Sequence, residues 1–159
     1  MGTDDEHNLT IEIKFINIAV LDIEMEKCIF CKIIAGEIPC YKVNEDKDIL
    51  AFLDIQPHAQ GHTVVIPKRH AETVFDLGEQ EMQALMQAVR KTMIKIDEKL
   101  HPDGFNVGWN HNPAGGQVVP HLHIHIMPRY NNDGGGSMHS IIKNPGRMKV
   151  EDVAKIVCI

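Results

Sequence analysis

Seven residues, from His121 to Met127, restrict the fold of this chain more than any other segment. Three histidines alternate with apolar residues, in the order His121, Leu122, His123, Ile124, His125, Ile126, Met127. Because successive side chains of a β-strand point to opposite faces, a strand here has three imidazoles on one face and an apolar row on the other. A helix would turn His123 away from the other two imidazoles, and Pro120 and Pro128 leave little room for one. The alternation therefore predicts a half-buried strand.

Three imidazoles on one face of a strand predict a functional site. Histidine titrates near neutral pH, so such a row can bind a metal ion or carry out nucleophilic and acid–base chemistry. The alternative is an ordinary strand with its polar face in water. Such strands usually carry mixed polar residues, and the repeated histidine therefore favours a site.

The elements around this strand predict an α+β fold. The chain has 159 residues, which is enough for one domain with a substantial core. Hydrophobic periodicity predicts one short and one long helix, at 29–34 and 77–100, and strands at 41–43, 49–53, 62–66 and 105–109. The long helix lies between groups of strands, and an order without repeated strand–helix–strand units favours a largely antiparallel sheet.

Three regions differ in composition along the chain. Residues 1–24 form an N-terminal extension, polar at first and then apolar, for which two interpretations stay open: a strand or arm that needs a surface to pack on, or a dispensable addition. Residues 25–148 form the domain itself. Residues 149–159 form a C-terminal tail, for which the pattern at 150–157 predicts a helix.

Charge and cysteine content limit the partners and the compartment. Sixteen basic and twenty-two acidic residues give a formal charge of −6. No Lys/Arg-rich stripe is present, so we expect no nucleic-acid partner. No apolar run is long enough to span a membrane and no signal peptide opens the chain, so we expect a cytoplasmic protein. In a reducing compartment, the Cys28-x-x-Cys31 pair is more typical of a metal or redox site than of a disulfide.

A glycine-containing loop precedes the histidine strand. Gly115 and Gly116 let backbone N–H groups approach an anion closely, and Gln117 and Asn110 add side-chain amides. A plain turn is the alternative, since a glycine pair alone is weak support for a site. The position of the loop beside His123 favours anion binding.

The chain resembles the histidine-triad (HIT) family. Residues 121–127 match the family's His-φ-His-φ-His-φ-φ pattern, where φ is apolar, at every position. Three further blocks are similar to the family, and they read CIFCKIIAGEIP from Cys28, AFLDI from Ala51 and GHTVVIPKRH from Gly61. The resemblance covers about residues 28–130. It implies a five-stranded antiparallel sheet with one long and one short helix, which continues across a homodimer.

The resemblance also implies a nucleotide hydrolase that acts at the α-phosphorus. His123 corresponds to the family's nucleophile, which forms a nucleotidyl-histidine intermediate that water hydrolyses. By the same resemblance, the phosphate or the leaving group is bound by His125, His62 and Gln117. The implied substrates are purine nucleoside phosphoramidates or dinucleoside polyphosphates, and the product is AMP or GMP. The remaining substrate contacts fall on Asp54 for the ribose, Asn110 and Gly116 for the phosphate, and Phe30, Ile33, Phe52 and Ile55 for the base.

The resemblance supplies two partners for the cysteine pair. With Cys28 and Cys31, His70 and His121 complete a Cys₂His₂ set, which is typical of structural zinc. Such an ion would tether the N-terminal helix to the histidine strand and would take no part in the chemistry. The alternative is two reduced, packed cysteines with both histidines merely hydrogen-bonded.

Two positions leave the substrate open within the family. Many phosphoramidate-cleaving members have serine after the Gly-Gln pair, whereas this chain has Val118, whose side chain cannot donate a hydrogen bond. Arg129, just after the histidine segment, can reach a polyphosphate leaving group or form a surface ion pair. Both phosphoramidates and polyphosphates therefore stay open as substrates.

Three other functions are alternatives. A nucleotidyl transferase of the galactose-1-phosphate type has glutamine at the third triad position, and both His125 and the short chain argue against it. A nucleotide- or metal-binding interaction protein with little catalytic activity is compatible with an intact triad. A metal site made of histidines alone is the third.

Overall fold

The computed structural model describes residues 27–144 and 146–158. The predicted extension at 1–24 lies outside these residues. Within them, none of the helices is long and apolar enough to cross a membrane. The described elements, in chain order, are α1 (Ile29–Ile34), β1 (Lys42–Glu45), β2 (Ile49–Leu53), β3 (Thr63–Pro67), α2 (Glu79–Leu100), β4 (Gly104–Gly108), β5 (Ile124–Arg129) and α3 (Val150–Val157).

The five strands form one antiparallel sheet in the order β1-β2-β3-β5-β4. This confirms the predicted α+β class and the five-stranded antiparallel sheet, and the helices at 29–34 and 150–157 have the predicted bounds. The first three strands pair in sequence order, after which α2 carries the chain to the far edge. β5 then returns between β3 and β4, so the histidine segment lies next to the centre of the sheet.

The sheet is covered on both faces, which explains why its central strands are almost wholly apolar. On one face, Ala51 and Val65 pack against α2. On the other face, Phe52 and Val64 pack against α1. Directly paired residues of antiparallel strands point to the same face, and Val64 pairs with His125. His125 therefore lies on the face that α1 covers.

The histidine segment keeps the predicted alternation but not the predicted strand length. β5 begins only at Ile124, so the prediction of a strand that carries His121 and His123 is wrong. The physical reason is that the Leu122 N–H donates to the Ala71 carbonyl at 2.6 Å, which is outside the sheet. The apolar residues of the segment still lie in the core beneath α2, and they are Leu122, Ile124 and Ile126.

Side-chain hydrogen bonds shift the boundaries of two other elements from their predicted positions. β1 continues through Glu45, beyond its predicted end at residue 43, because the following turn is closed by Asp46, whose Oδ1 accepts the Ile49 N–H at 2.8 Å. α2 begins two residues later than predicted. Its first turn is fixed by the Glu81 carboxylate, which accepts the Gly78 N–H at 2.9 Å.

Two features of Gly61, which lies between β2 and β3, favour glycine at this position. Its φ is +83°, which is strained for other residues, and a Cβ there would overlap Leu100 Cδ1 and lie 3.4 Å from Pro128 Cγ. We expect Gly61→Ala to lower the free energy of unfolding by about 2 kcal/mol, because backbone strain and overlap add. Urea denaturation followed by circular dichroism measures this loss.

Two control variants separate the two causes. Gly36 also has a positive φ, +79°, but a Cβ there meets open space, so Gly36→Ala should cost about 1 kcal/mol from the backbone alone. Gly104 has open space and an ordinary backbone conformation, so Gly104→Ala should leave stability almost unchanged. Equal losses at positions 36 and 61 would show that the Leu100 contact contributes nothing.

Candidate active site and metal site

Two cysteines and two histidines converge on one buried point. Cys28 precedes α1 and Cys31 lies within it, whereas His70 follows β3 and His121 precedes β5. Each side chain offers one ligand atom, and these four atoms all lie within 4.8 Å of one another. The structure thus brings together all four residues that we expected to bind a metal ion.

The distances within this Cys₂His₂ cluster suit a tetrahedral metal ion. Cys31 Sγ lies 3.3 Å from His70 Nδ1 and 3.6 Å from His121 Nδ1, and Cys28 Sγ lies 3.5 Å from His121 Nδ1. A zinc ion bound at its usual distances to sulfur and nitrogen separates two such ligand atoms by about 3.5 Å. Both the donor set and the spacing therefore fit zinc.

Hydrogen bonding and burial keep the His121 imidazole in the form that can bind a metal ion. Its Nε2 lies 2.9 Å from the Pro67 carbonyl, which can only accept, so Nε2 carries the proton and Nδ1 presents its lone pair to the sulfurs. Burial lowers the pKa of His121 to about 4 and raises the pKa of Cys31 to about 12. The imidazole is therefore neutral, and the Cys31 thiol ionises only when a cation displaces its proton.

His123 presents an unprotonated nitrogen to a cavity. Its Nδ1 lies 2.6 Å from the His121 carbonyl, which accepts the Nδ1 proton and leaves the lone pair on Nε2. The edge of Phe30 holds the ring from the side, with ring centroids 5.2 Å apart. His123 is only 6% exposed, so this orientation is maintained by packing as well as by the hydrogen bond.

His62 and His125 form a directed hydrogen-bond chain. The His58 N–H donates to His62 Nδ1 at 3.3 Å, and a backbone N–H can only donate, so the neutral ring carries its proton on Nε2. That nitrogen donates to His125 Nδ1 at 3.0 Å. His125 therefore carries its own proton on Nε2. Neighbouring His123 and His125, whose ring centroids are 5.0 Å apart, thus have opposite roles: an acceptor and a donor.

Burial keeps this histidine pair neutral at physiological pH. It lowers the pKa of His125 to about 4, and the charges of His123 and His62 act in the same direction. Burial also lowers the pKa of His62, an effect that Asp54 opposes. The Asp54 carboxylate lies 3.7 Å from His62 Nδ1. Both rings therefore act as neutral hydrogen-bonding groups rather than as cations.

A cavity of about 520 Å³ lies in front of His123, between α1 and the loop that precedes the histidine segment. Its lining combines apolar side chains with the polar groups of an aspartate, an asparagine and histidines. The cavity brings together most of the residues that we expected to bind substrate, and these are Phe30, Ile33, Phe52, Asp54, Ile55, Asn110, Gly116, His123 and His125.

Gln117 does not line this cavity. Its Nε2 donates to the carbonyls of Glu72 and Val119, at 2.7 and 3.1 Å, and its Oε1 accepts the Asn112 N–H at 2.8 Å. The amide is thus used to hold the glycine loop against the segment after β3. In this arrangement Gln117 positions the loop and makes no contact across the cavity.

Arg129 forms an ion pair, the second of the two roles that we considered for it. Its Nε and Nη2 each donate to the Asp133 carboxylate at 2.6 Å, and its Nη1 donates to the Gly136 carbonyl at 2.7 Å. The Asn106 Oδ1 accepts from Nη1 as well. The guanidinium therefore anchors the loop that follows β5.

Sequence reasoning missed part of the cavity wall. Ile38, Pro39 and Cys40 line the cavity beside Phe52, and Val119 lines it beside Val118. Ile38 and Pro39 end the CIFCKIIAGEIP block that resembles the family, but that resemblance assigned neither residue to the cavity. The carbonyl that fixes the His123 tautomer also lacked a signal, because backbone groups have no sequence signature.

Comparison with known proteins gives the family. A family model described as HIT domain matches residues 35–132, which is more than half of the chain. The adenosine 5′-monophosphoramidase of Schizosaccharomyces pombe is 40% identical over 108 residues, which cover 68% of this chain and 78% of that protein.

Two solved structures share the fold. A HIT-family protein from Bacillus subtilis is 43% identical, with a TM-score of 0.72, and the match covers 82% of this chain and 92% of that chain. A zinc-bound histidine-triad protein from Mycobacterium smegmatis is 33% identical, with a TM-score of 0.67, and the match covers 77% and 86%. With the histidine segment at 121–127, a matching family model and these relatives, the chain is a member of the histidine-triad (HIT) family.

Proposed function

We propose that the chain is a nucleotide hydrolase that cleaves at the α-phosphorus of purine nucleoside phosphoramidates or dinucleoside polyphosphates, with His123 as the nucleophile. The observation that carries the proposal is the bond from His123 Nδ1 to the His121 carbonyl, which leaves the Nε2 lone pair facing a nucleotide-sized cavity. The likeness to the S. pombe adenosine 5′-monophosphoramidase supports the same reaction class.

The reaction has two displacement steps. In the first, His123 Nε2 forms a bond to phosphorus while the bond to the leaving group breaks, and a leaving nitrogen takes up one proton from water. In the second, water attacks the nucleotidyl-histidine, the phosphorus–nitrogen bond to His123 breaks, and the water gives up one proton. For a phosphoramidate the protons balance, and the products are a nucleoside monophosphate and the free amine. For a dinucleoside polyphosphate the leaving group is a nucleoside polyphosphate, and the proton that water gives up goes to solvent.

The surrounding groups would bind the substrate and hold its charge. The His125 Nε2–H would donate to a phosphate oxygen, and the Asn110 amide would do so from the loop side, where both residues line the cavity. Asp54 would accept from the ribose hydroxyls. The purine would lie between the apolar residues of α1 and β2, which line the far wall, namely Phe30, Ile33 and Phe52.

Replacement of the nucleophile tests this proposal. We expect His123→Ala to lower kcat/KM for adenosine 5′-phosphoramidate by at least about a thousandfold, because no other nitrogen can form the intermediate. The measurement is AMP release, with diadenosine tetraphosphate assayed in parallel. His101→Asn is the matched control, since His101 is an exposed residue at the end of α2 in the left-handed conformation that asparagine tolerates.

The result can also go against the proposal. Full activity in His123→Ala would exclude a nucleotidyl-histidine at this residue. Nucleotide binding without turnover of either substrate would favour a binding protein over an enzyme. The urea midpoint of each variant shows that the fold has survived.

We propose that the Cys₂His₂ cluster holds a structural zinc ion. Its ligands would be Cys28, Cys31, His70 and His121, and the spacing of their ligand atoms supports this assignment. The zinc-bound M. smegmatis relative supports it further. The ion would join α1 to the segment before β5, and the hydrolytic steps would not use it.

Metal analysis of purified protein tests the zinc site. We expect one zinc per chain, lost in the Cys28→Ala, Cys31→Ala double variant and kept in Cys40→Ala, since Cys40 is a half-buried cysteine outside the cluster. Chelation should lower the melting temperature of wild type, because the closed site contributes to folding. Stoichiometric zinc on the double variant would instead indicate a site made of histidines alone.

The neutral state of His125 gives a pH dependence. Its pKa is about 4 in the folded chain, against 6.5 for an ordinary histidine. Between these values the unfolded chain binds a proton that the folded chain does not, so stability is complete above pH 6.5 and falls as the pH falls towards 4. Because His125 is partly exposed, solvent screening reduces this effect. Between pH 6.5 and pH 4, we expect the free energy of unfolding of His125→Gln to fall by about 2 kcal/mol less than that of wild type.

Urea denaturation at several pH values measures this difference. His101→Asn serves again as the control and should lose as much stability as wild type, because His101 is exposed. An unchanged pH dependence in His125→Gln would show that His125 is not held neutral by the fold.

We also propose that the protein is a cytoplasmic homodimer. The described sheet ends in two edge strands, β1 and β4. An unpaired edge strand favours pairing with another chain, and a second copy of the sheet is a partner of matching geometry. The acidic net charge of −6 supports small-molecule substrates over nucleic acid.

A further inference from the structure

We propose that a second cavity, which His125 lines together with the nucleotide cavity, is a leaving-group subsite that selects uncharged, apolar amines over polyphosphates. The inference rests on the proposed function and names its substrate class. The cavity has a volume of about 290 Å³, and its apolar wall is formed by Trp109, Met127, Met138 and Ile141.

The position of this cavity relative to the nucleotide cavity points to the leaving group. The two share four lining residues, which are Asp54, His58, Asn110 and His125. A phosphorus atom attacked by His123 lies where the shared residues meet. The nucleoside then occupies the larger cavity, and in-line displacement sends the leaving group away from the His123 nitrogen, towards the smaller one.

Segment 137–142 supplies part of the apolar wall. Gly108 pairs with His125 across β4 and β5, and a Cβ at Gly108 would lie 3.5 Å from the methyl carbon of Met138. Met138 thus lies within van der Waals reach of β4, beside His125. Met138 and Ile141 are 50% and 72% exposed, so both side chains are accessible to a ligand.

The subsite offers no cation for a polyphosphate. No lysine or arginine lines either cavity, and Asp54 adds a negative charge to both. The imidazoles of His62 and His125 are neutral because they are buried. An ATP leaving group, with several negative charges, would therefore be bound without compensation.

Arg129 does not change this balance. It faces a neighbouring cavity, and its guanidinium is held by Asp133, Asn106 and the Gly136 carbonyl. The same ion pair anchors the loop that leads to Met138. Arg129 thus helps to position the apolar wall and is not free to bind phosphate.

A substrate series separates apolar from anionic leaving groups. Adenosine 5′-monophosphate is linked through nitrogen to propylamine, benzylamine or glycine, and diadenosine tetraphosphate is the fourth substrate. Propylamine and glycine have similar sizes but differ by one carboxylate. We expect wild type to favour the propyl and benzyl compounds over the glycine compound by about tenfold in kcat/KM, with the tetraphosphate the poorest substrate.

Two variants assign the preference to the cavity wall. Met138→Ala should reduce the benzyl-to-glycine ratio about tenfold, because it removes apolar contact area. Met138→Lys should reverse the preference between the propyl and glycine compounds, because it adds a cation. Met148→Ala is the matched control, since Met148 is an exposed methionine that lines neither cavity, and its ratios should equal those of wild type.

Some results would overturn the inference. These are a glycine compound or tetraphosphate cleaved as efficiently as the benzyl compound, or ratios that do not change in either Met138 variant. If no compound is turned over, the proposed function fails. The subsite is then tested separately, by calorimetric measurement of the affinity of each unreacted compound for the protein. Equal affinities for the benzyl and glycine compounds would overturn the inference in that case as well.

Discussion

The hydrogen bond from His123 Nδ1 to the carbonyl of His121 joins the two chemical centres of this protein. Through its side chain, His121 belongs to the Cys₂His₂ cluster, and through its backbone it sets the protonation of His123. The carbonyl of His121 points towards His123 while its imidazole points towards the sulfurs. The core beneath α2 holds this backbone in place through the apolar residues that alternate with the histidines.

Burial on both faces of the sheet makes this arrangement rigid. The face covered by α2 is apolar apart from Thr63, and the face covered by α1 is divided between apolar residues and imidazoles. A shift of the segment by one residue would bury imidazoles against α2 and expose apolar side chains to the cavity, at a cost of several kcal/mol. The register of the histidines is therefore fixed by hydrophobic burial rather than by the polar contacts of the site.

Much of the fold and of the site follows from local patterns in the sequence. The alternation at 121–127 identifies the buried side of the segment, and the periodicity of α2 identifies the helix above it. The remaining details depend on contacts between distant residues. The bond from Leu122 to the Ala71 carbonyl delays the start of β5, and the Gln117 amide turns towards Glu72. Neither partner is adjacent in sequence, so no local pattern contains this information.

Helix α1 has a double attachment whose consequence is thermodynamic. It is six residues long, too short to persist on its own in water. On one side, Cys28 and Cys31 place it in the Cys₂His₂ cluster. On the other, Phe30 and Ile33 line the nucleotide cavity. Whatever orders this helix at one attachment lowers the entropic cost of ordering it at the other. If zinc and nucleotide bind as proposed, their binding would consequently be linked, and each would strengthen the other by the same factor.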